Sequence, residues 1–457
     1  MSSSASSGPA TPRSAGSGPA TPRSAGSGPA TPPYRQPGVI LTDHSFTVPL
    51  DHDDPGAEQI EVFARELVAA GEARGDLPWL VFLQGGPGFG GPRPSGRSSW
   101  LDRALSGYRV LLLDQRGTGR STPVTRHSVA ARGSARDQAR YLSLFRADAI
   151  VADAEFIRRR LTGGEPWAVL GQSFGGFCTV TYLSKAPDGI REAFITGGLP
   201  GLTATADDVY RATYPRVRAK TLAHYARYPG DVDQARRIAR RLQGSPVLLP
   251  DGSQLTVAAF QSLGHQLGQG TGSDELHYLL EGAFAGDQFS DAFLHDVHCR
   301  LTFAVGPLYA VLHEPCYAQG AATRWSAQRI LAEFGEFDPG PALDGERPLL
   351  FTGEMIYPWM FGRDPVLRPF EPAADLLAEH ADWPALYDPS RLAANEVPVA
   401  AAVYFDDMYV PRELSVPTAE AIHGLRPWVT SEYEHDGLRL SNGAVLDRLI
   451  GLAQGLA

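Results

Sequence analysis

Short apolar runs bounded by Gly and Asp recur through the first half of the chain. WLVFLQ (79–84), RVLLLD (109–114) and WAVLGQ (167–172) are nearly continuous in Val, Leu, Phe and Trp. That is the pattern of strands buried on both faces of a parallel sheet. IEVFARELVA (60–69) reads instead as a half-buried strand. Between these runs Leu142, Phe145, Ile150, Phe156, Ile157 and Leu161 fall at helical spacing. They predict a helix over 139–162 that stops at Gly163-Gly164. Another helix is expected after Gln172, and IREAFITGG (190–198) predicts the next strand. Strand and helix in alternation predict a doubly wound, mostly parallel α/β sheet.

The pattern changes at about residue 201. From there to 345 the strand signals stop, and Ala, Arg, Leu and Tyr recur at helical spacing. A structureless loop of that length inside a compact domain is implausible, so a helical inserted domain is expected. Strand signals return at RPLLFTGE (347–354), VPVAAAVYFDD (397–407) and WVTSEYEHDG (428–437), and Asn442 to Ala457 predicts a closing helix. The expected division is therefore a tail (1–33), the first part of an α/β core (34–200), a helical cap (201–345) and the rest of the core (346–457).

Composition sharpens this at two places. The chain has 457 residues with 49 Gly and 37 Pro, an excess that could signal disorder, but 43% hydrophobic residues are enough for a large core. Part of the excess lies in a decapeptide repeat, SGPATPRSAG at 7–16 and again at 17–26. This tract has no large apolar residue after Met1 and is expected to be disordered. The densest remainder is 84–96, where nine of the thirteen residues are Gly or Pro. Net charge is −10, from 41 basic and 51 acidic residues, which disfavours a nucleic-acid binder. No apolar run approaches the ~18 residues that cross a bilayer. The N-terminus lacks the apolar core of a secretory signal, and three cysteines (Cys178, Cys299, Cys316) make no disulfide framework. A cytoplasmic protein is expected.

The strongest chemical signal is Gly171-Gln172-Ser173-Phe174-Gly175-Gly176, between a predicted strand and a predicted helix. A nucleophile on so sharp a turn needs small neighbours two residues away, which Gly171 and Gly175 supply. The turn also places the Ser173 hydroxyl at a helix N-terminus, whose dipole favours developing negative charge. Gln84-Gly85-Gly86-Pro87-Gly88 follows the strand 79–84, and such a loop can bring a backbone N–H to an oxyanion. The expected donors are the N–H groups of Gly86 and Phe174. Where this elbow occurs, the acid and then the histidine follow the serine along the chain. His435 stands after the last strand signal, and Asp406 and Asp407 both stand at the end of the strand before it. Spacing does not separate these two acids. Metal and nucleotide chemistries fare worse. His313-Glu314 begins a zinc-protease pair, but Tyr317 stands where its second His is needed. Gly117-Thr118-Gly119 lacks the third glycine of a dinucleotide loop.

Taken together, QGGPG (84–88), DQRGTGRS (114–121), GQSFGG (171–176), DDMYVP (406–411) and EHDGLR (434–439) resemble the proline iminopeptidases, serine peptidases of the α/β-hydrolase fold. The resemblance runs from about 40 to 450. The insertion and HEPCYAQG (313–320) are similar to the larger bacterial subgroup. One departure is Gln84, where many relatives carry His. The resemblance implies an α/β-hydrolase fold with an inserted helical cap, Ser173 as nucleophile, His435 as base and Asp407 as its partner. It implies that Asp114, Arg116, Gly117 and Gly119 shape a structural turn. It also implies that Glu314 and Glu354 bind the free imino group of a peptide beginning with proline, with no metal or cofactor. Phe89, Tyr357 and Trp359 are candidates to enclose the pyrrolidine ring. The alternatives are a broader aminopeptidase or esterase on this scaffold, or a catalytically silent binding module.

Overall fold

The computed structural model describes residues 30–71, 77–97 and 99–456. All but the last few residues of the repeat tail lie outside them. The described residues form eleven strands, β1 (Tyr34–Gln36), β2 (Val39–Pro49), β3 (Gln59–Ala69), β4 (Trp79–Leu83), β5 (Arg109–Leu113), β6 (Trp167–Gln172), β7 (Ile190–Thr196), β8 (Phe284–Ala285), β9 (Gln288–Phe289), β10 (Val399–Tyr404) and β11 (Leu425–Thr430). Nine form one sheet in the order β1-β2-β3-β5-β4-β6-β7-β10-β11; β8 and β9 are a small separate hairpin. β1, β2 and β3 meet their neighbours antiparallel, and every pairing from β5 to β11 is parallel.

The central strands are apolar throughout because both faces are covered. In β4, Val81 and Leu83 join one buried cluster while Leu80 and Phe82 join the other. β5 and β6 divide in the same way, which follows from the two-residue period of a strand. Helices Phe174–Lys185 and Ala147–Thr162 lie on the first face; Ser99–Leu105 and the closing helix Ala444–Ala453 lie on the second.

Two expectations are corrected. The helix expected over 139–162 is two helices, Ala135–Ser143 and Ala147–Thr162. The break falls where buried Arg116 reaches the Leu144 carbonyl at 2.8 Å and where Phe145 turns into the core. The strand expected at 347–354 is absent. Its apolar residues Leu349, Leu350 and Phe351 are buried, but Tyr225 and Gln261 satisfy its backbone in place of a neighbouring strand. The Tyr225 hydroxyl donates to Leu349 O (2.7 Å), the Gln261 amide donates to Leu350 O (2.9 Å), and Thr352 N donates to Gln261 O (2.8 Å). An apolar run shows that a segment is buried, not what pairs with its amides. The chain rejoins the sheet only at Val399, after a long helical excursion that begins past β7.

Parallel order puts the carboxyl ends of β4, β6, β7, β10 and β11 along one edge. The loops that carry Gly86, Ser173, Asp407 and His435 all leave from that edge.

Candidate active site

Ser173 joins β6 to the helix Phe174–Lys185 with φ +54° and ψ −124°. Positive φ is costly for a residue with a side chain, so the surroundings must hold it. They do so by close backbone contact. A Cβ on Gly175 would fall 1.9 Å from Leu83 O, and one on Gly171 would fall 2.3 Å from Gly175 O. Ser173 N donates to Thr196 O at 3.0 Å, and Gly176 N donates to Ser173 O at 2.7 Å. Phe174 is the first residue of its helix, so its N–H has no intrahelical acceptor.

Asp407 lies in the turn after β10 and is fully buried. One carboxylate oxygen accepts from the N–H groups of Tyr409 (2.8 Å) and Val410 (3.0 Å). The other accepts from His435 Nδ1 at 2.7 Å. Asp406 is exposed, so it is Asp407 that the fold brings to the histidine. The His435 ring stands edge-on to Tyr409, with centroids 4.8 Å apart. A Cβ on Gly197, the residue after Thr196, would lie 3.1 Å from His435 Nδ1. The Ser173 turn and the histidine are therefore linked through two consecutive residues, Thr196 and Gly197. Burial disfavours the charged imidazole, but the Asp407 carboxylate, its hydrogen bond and the nearby Glu354 outweigh it. The ring titrates above its ordinary value.

Gly86 has φ +70°, and a Cβ there would meet the Phe89 ring at 2.7 Å. Its neighbour Gly85 lies against Ser173, since a Cβ there would come within 2.8 Å of Ser173 Cβ. The loop and the elbow thus touch, and only glycine fits between them.

The two glutamates expected together are not alike. Both oxygens of Glu314 are taken by backbone amides, from Ser326 at 3.0 Å and Ala327 at 2.9 Å. It is buried and caps the helix Ser326–Leu331, whose first amides need acceptors. Glu354 is held by side chains instead. Its Oε1 accepts from the Tyr309 hydroxyl at 2.6 Å and lies 3.9 Å from His265 Nε2. Burial pushes its carboxyl up to about 7; the Tyr309 hydrogen bond and His435 pull the other way, while Asp407 adds to the rise.

Among the aromatic candidates, Phe89 packs on Tyr309 with centroids 5.4 Å apart. Tyr357 is in the core, its hydroxyl bonded to that of Tyr214 at 3.0 Å, and it stacks on Trp359. Arg116 is buried in an ion pair with Asp153 (2.6 Å), and Asp114 accepts from Gly91 N (2.8 Å) and Arg120 N (2.9 Å). These contacts fit a structural turn. Sequence reasoning missed Tyr309, His265 and Tyr409. The His265 ring packs on Tyr409, and Tyr309 sits one helical turn before His313, whose Nε2 lies 3.1 Å from Glu354 O. That four-residue spacing was the available signal. Among the described residues no group of three or more His, Cys, Asp or Glu is placed to hold a metal ion. No helix there is long and apolar enough to cross a membrane.

Comparison with known proteins shows the family. Residues 78–264 match the family model of the alpha/beta hydrolase fold. A proline iminopeptidase of Aeromonas sobria is 50% identical over 416 residues, which cover 91% of this chain and 97% of that protein. A proline iminopeptidase of Aspergillus aculeatus is 36% identical over 423 residues, covering 90% and 92%. The chain belongs to the proline iminopeptidase family and has the α/β-hydrolase fold.

Proposed function

We propose that the protein is a serine aminopeptidase that releases proline from the N-terminus of small peptides. The observation that carries this reading is Glu354, a largely buried carboxylate held by Tyr309 and His265, with the His265 ring packed on Tyr409 and Tyr409 edge-on to His435. A negative group in a water-poor pocket next to the acyl-transfer machinery suits a substrate whose cationic nitrogen lies one atom from the reacting carbonyl.

The chemistry runs through side chains already described. Asp407 holds the His435 Nδ1–H, which leaves Nε2 as the base. Nε2 takes the Ser173 proton as Oγ attacks the prolyl carbonyl. The N–H groups of Gly86 and Phe174 receive the oxyanion, each donor of this kind being worth about 3 kcal/mol of barrier. His435 then protonates the leaving amine, the C–N bond breaks, and a prolyl ester remains on Ser173. Water, deprotonated by His435, attacks that ester and releases proline and Ser173. Glu354 holds the imino cation throughout. Glu314, with both oxygens on backbone, is assigned to the cap's structure and not to the substrate.

In this reading residues 201–345 serve as the cap, and 34–200 with the part of 346–457 from Val399 onward form the core they cover. We place the protein in the cytoplasm, in keeping with its three free cysteines, Cys178, Cys299 and Cys316. A panel of aminoacyl amides tests the specificity. Free prolyl amides should be cleaved far faster than alanyl or leucyl amides. Equal rates across the panel would replace the prolyl reading with a broad aminopeptidase, and hydrolysis retained by Ser173→Ala would remove the mechanism.

A further inference from the structure

We propose that Gln115 is a positioning residue for the oxyanion site, acting with Gln84 to fix the two peptide planes that precede the Gly86 N–H. The inference rests on the role given to Gly86 above and extends it to residues that do not touch substrate.

The loop 84–91 is almost without side chains that could anchor it. Gly85, Gly86, Gly88, Gly90 and Gly91 carry none, and Gly86 and Gly88 stand at φ +70° and +95°. A peptide flanked by glycines turns readily, because no Cβ restricts either side. An oxyanion donor has the opposite need, since it works only when aimed before the reaction begins.

Two side-chain amides supply the restraint. Gln115, the second residue beyond β5, is 1% exposed, and its Nε2 donates to Gln84 O at 3.0 Å. That bond fixes the peptide between Gln84 and Gly85. Gln84 in turn donates from its own Nε2 to Gly85 O at 3.2 Å. Gly85 O belongs to the same planar unit as the Gly86 N–H and points the opposite way across it. Holding that carbonyl therefore aims that N–H. Gln115 is itself anchored at its backbone, where its carbonyl accepts from the Thr118 hydroxyl at 2.6 Å. Its Oε1 has no partner among the described residues, so the bond to Gln84 is what orients the side chain. The neighbouring Asp114 ties the far end of the loop by accepting from Gly91 N at 2.8 Å. Consecutive side chains at the end of β5 thus grip both ends of the loop.

The contact with the elbow makes this matter for rate. A Cβ on Gly85 would lie 2.8 Å from both Gln172 O and Ser173 Cβ, so the loop is packed closely against the elbow on that side. A loop freed from Gln115 can only tilt away, and the Gly86 N–H then leaves the oxyanion while the imino subsite at Glu354 stays as it was. The loss belongs to the transition state and not to ground-state binding.

The test is Gln115→Met, which keeps the volume and removes the donor, with Gln84→Met beside it. Each is assayed on a prolyl amide, on inhibition by prolinal (an aldehyde that forms a tetrahedral adduct) and on inhibition by free proline. Expected is a kcat about 10-fold to 100-fold lower with KM within about twofold. Prolinal should weaken by the same factor as kcat/KM, with proline affinity and Tm unchanged. An unchanged kcat and prolinal affinity would overturn the inference, as would proline affinity or Tm falling in parallel with kcat. If prolinal bound the wild type no tighter than proline, the oxyanion reading would fall and the inference with it. Tight wild-type binding left unmoved in both variants would remove the inference alone.

Discussion

Glu354 carries its charge where the fold disfavours it. Its ordinary value is 4.5 and its value here is about 7, so the folded state binds a proton that the unfolded chain has released. Stability therefore falls as pH rises from about 4.5 to 7, and the cost at pH 8 is on the order of 3 kcal/mol. Glu354→Gln is expected to raise Tm at pH 8 and leave it unchanged near pH 4, which thermal melts at the two pH values check. The same variant should raise KM for free prolyl amides at least 10-fold, because the substrate cation loses its partner. Asp407→Asn should lower kcat by about 10⁴-fold with little change in KM, since the histidine tautomer is then no longer held. Much of this site is legible in the sequence. Ser173 and His435 stand in local motifs at strand ends; spacing left Asp406 and Asp407 open, the resemblance named Asp407, and Asp407 is the one that is buried while Asp406 is exposed. Tyr309 and His265 were not legible, because what defines them is contact with Glu354 across 45 and 89 residues of chain.

At the scale of elements, the strands that sequence showed most clearly are those covered on both faces. β4, β5 and β6 could be read because nothing polar interrupts them. The run at 347–354 has the same texture, and it misleads because Gln261 and Tyr225 take its carbonyls. The elbow is an element too, and its glycines are constrained by neighbouring backbone. Gly175→Ala sets a methyl against Leu83 O, where the present distance would be 1.9 Å. It is expected to cost about 3 kcal/mol or more and to abolish activity, as read by denaturant melts and assay. Gly56→Ala, with nothing within 4 Å, should be neutral in both.

Across the whole molecule, the helical excursion is fastened to the chemistry and not merely laid over it. Gly268, within the 3-10 turn Ser262–Gly268, accepts at its carbonyl from His435 N at 3.2 Å. A Cβ on Gly268 would lie 2.4 Å from the Tyr409 ring, and the Tyr409 hydroxyl donates to His265 O. The loop of Asp407, the loop of His435 and the turn Ser262–Gly268 of the helical excursion thus share one contact. Gly268→Ala should displace Tyr409 from the His435 ring and lower kcat/KM more than 10-fold while the sheet stays folded, which circular dichroism beside the assay would show. The pH profile also belongs to the assembled site. His435 must be neutral and Glu354 ionised, and both titrate above their ordinary values. The acid limb of log kcat/KM should therefore fall below about pH 7 with a slope approaching about two, reduced to about one in Glu354→Gln.

The most direct measurement is kcat/KM for a prolyl amide with its imino group free and with it acetylated, in the wild type and in Glu354→Gln. The account expects the wild type to favour the free substrate strongly and the variant to lose most of that preference through the free substrate alone. A wild type that cleaves both equally, or a variant that keeps the full preference, would contradict it.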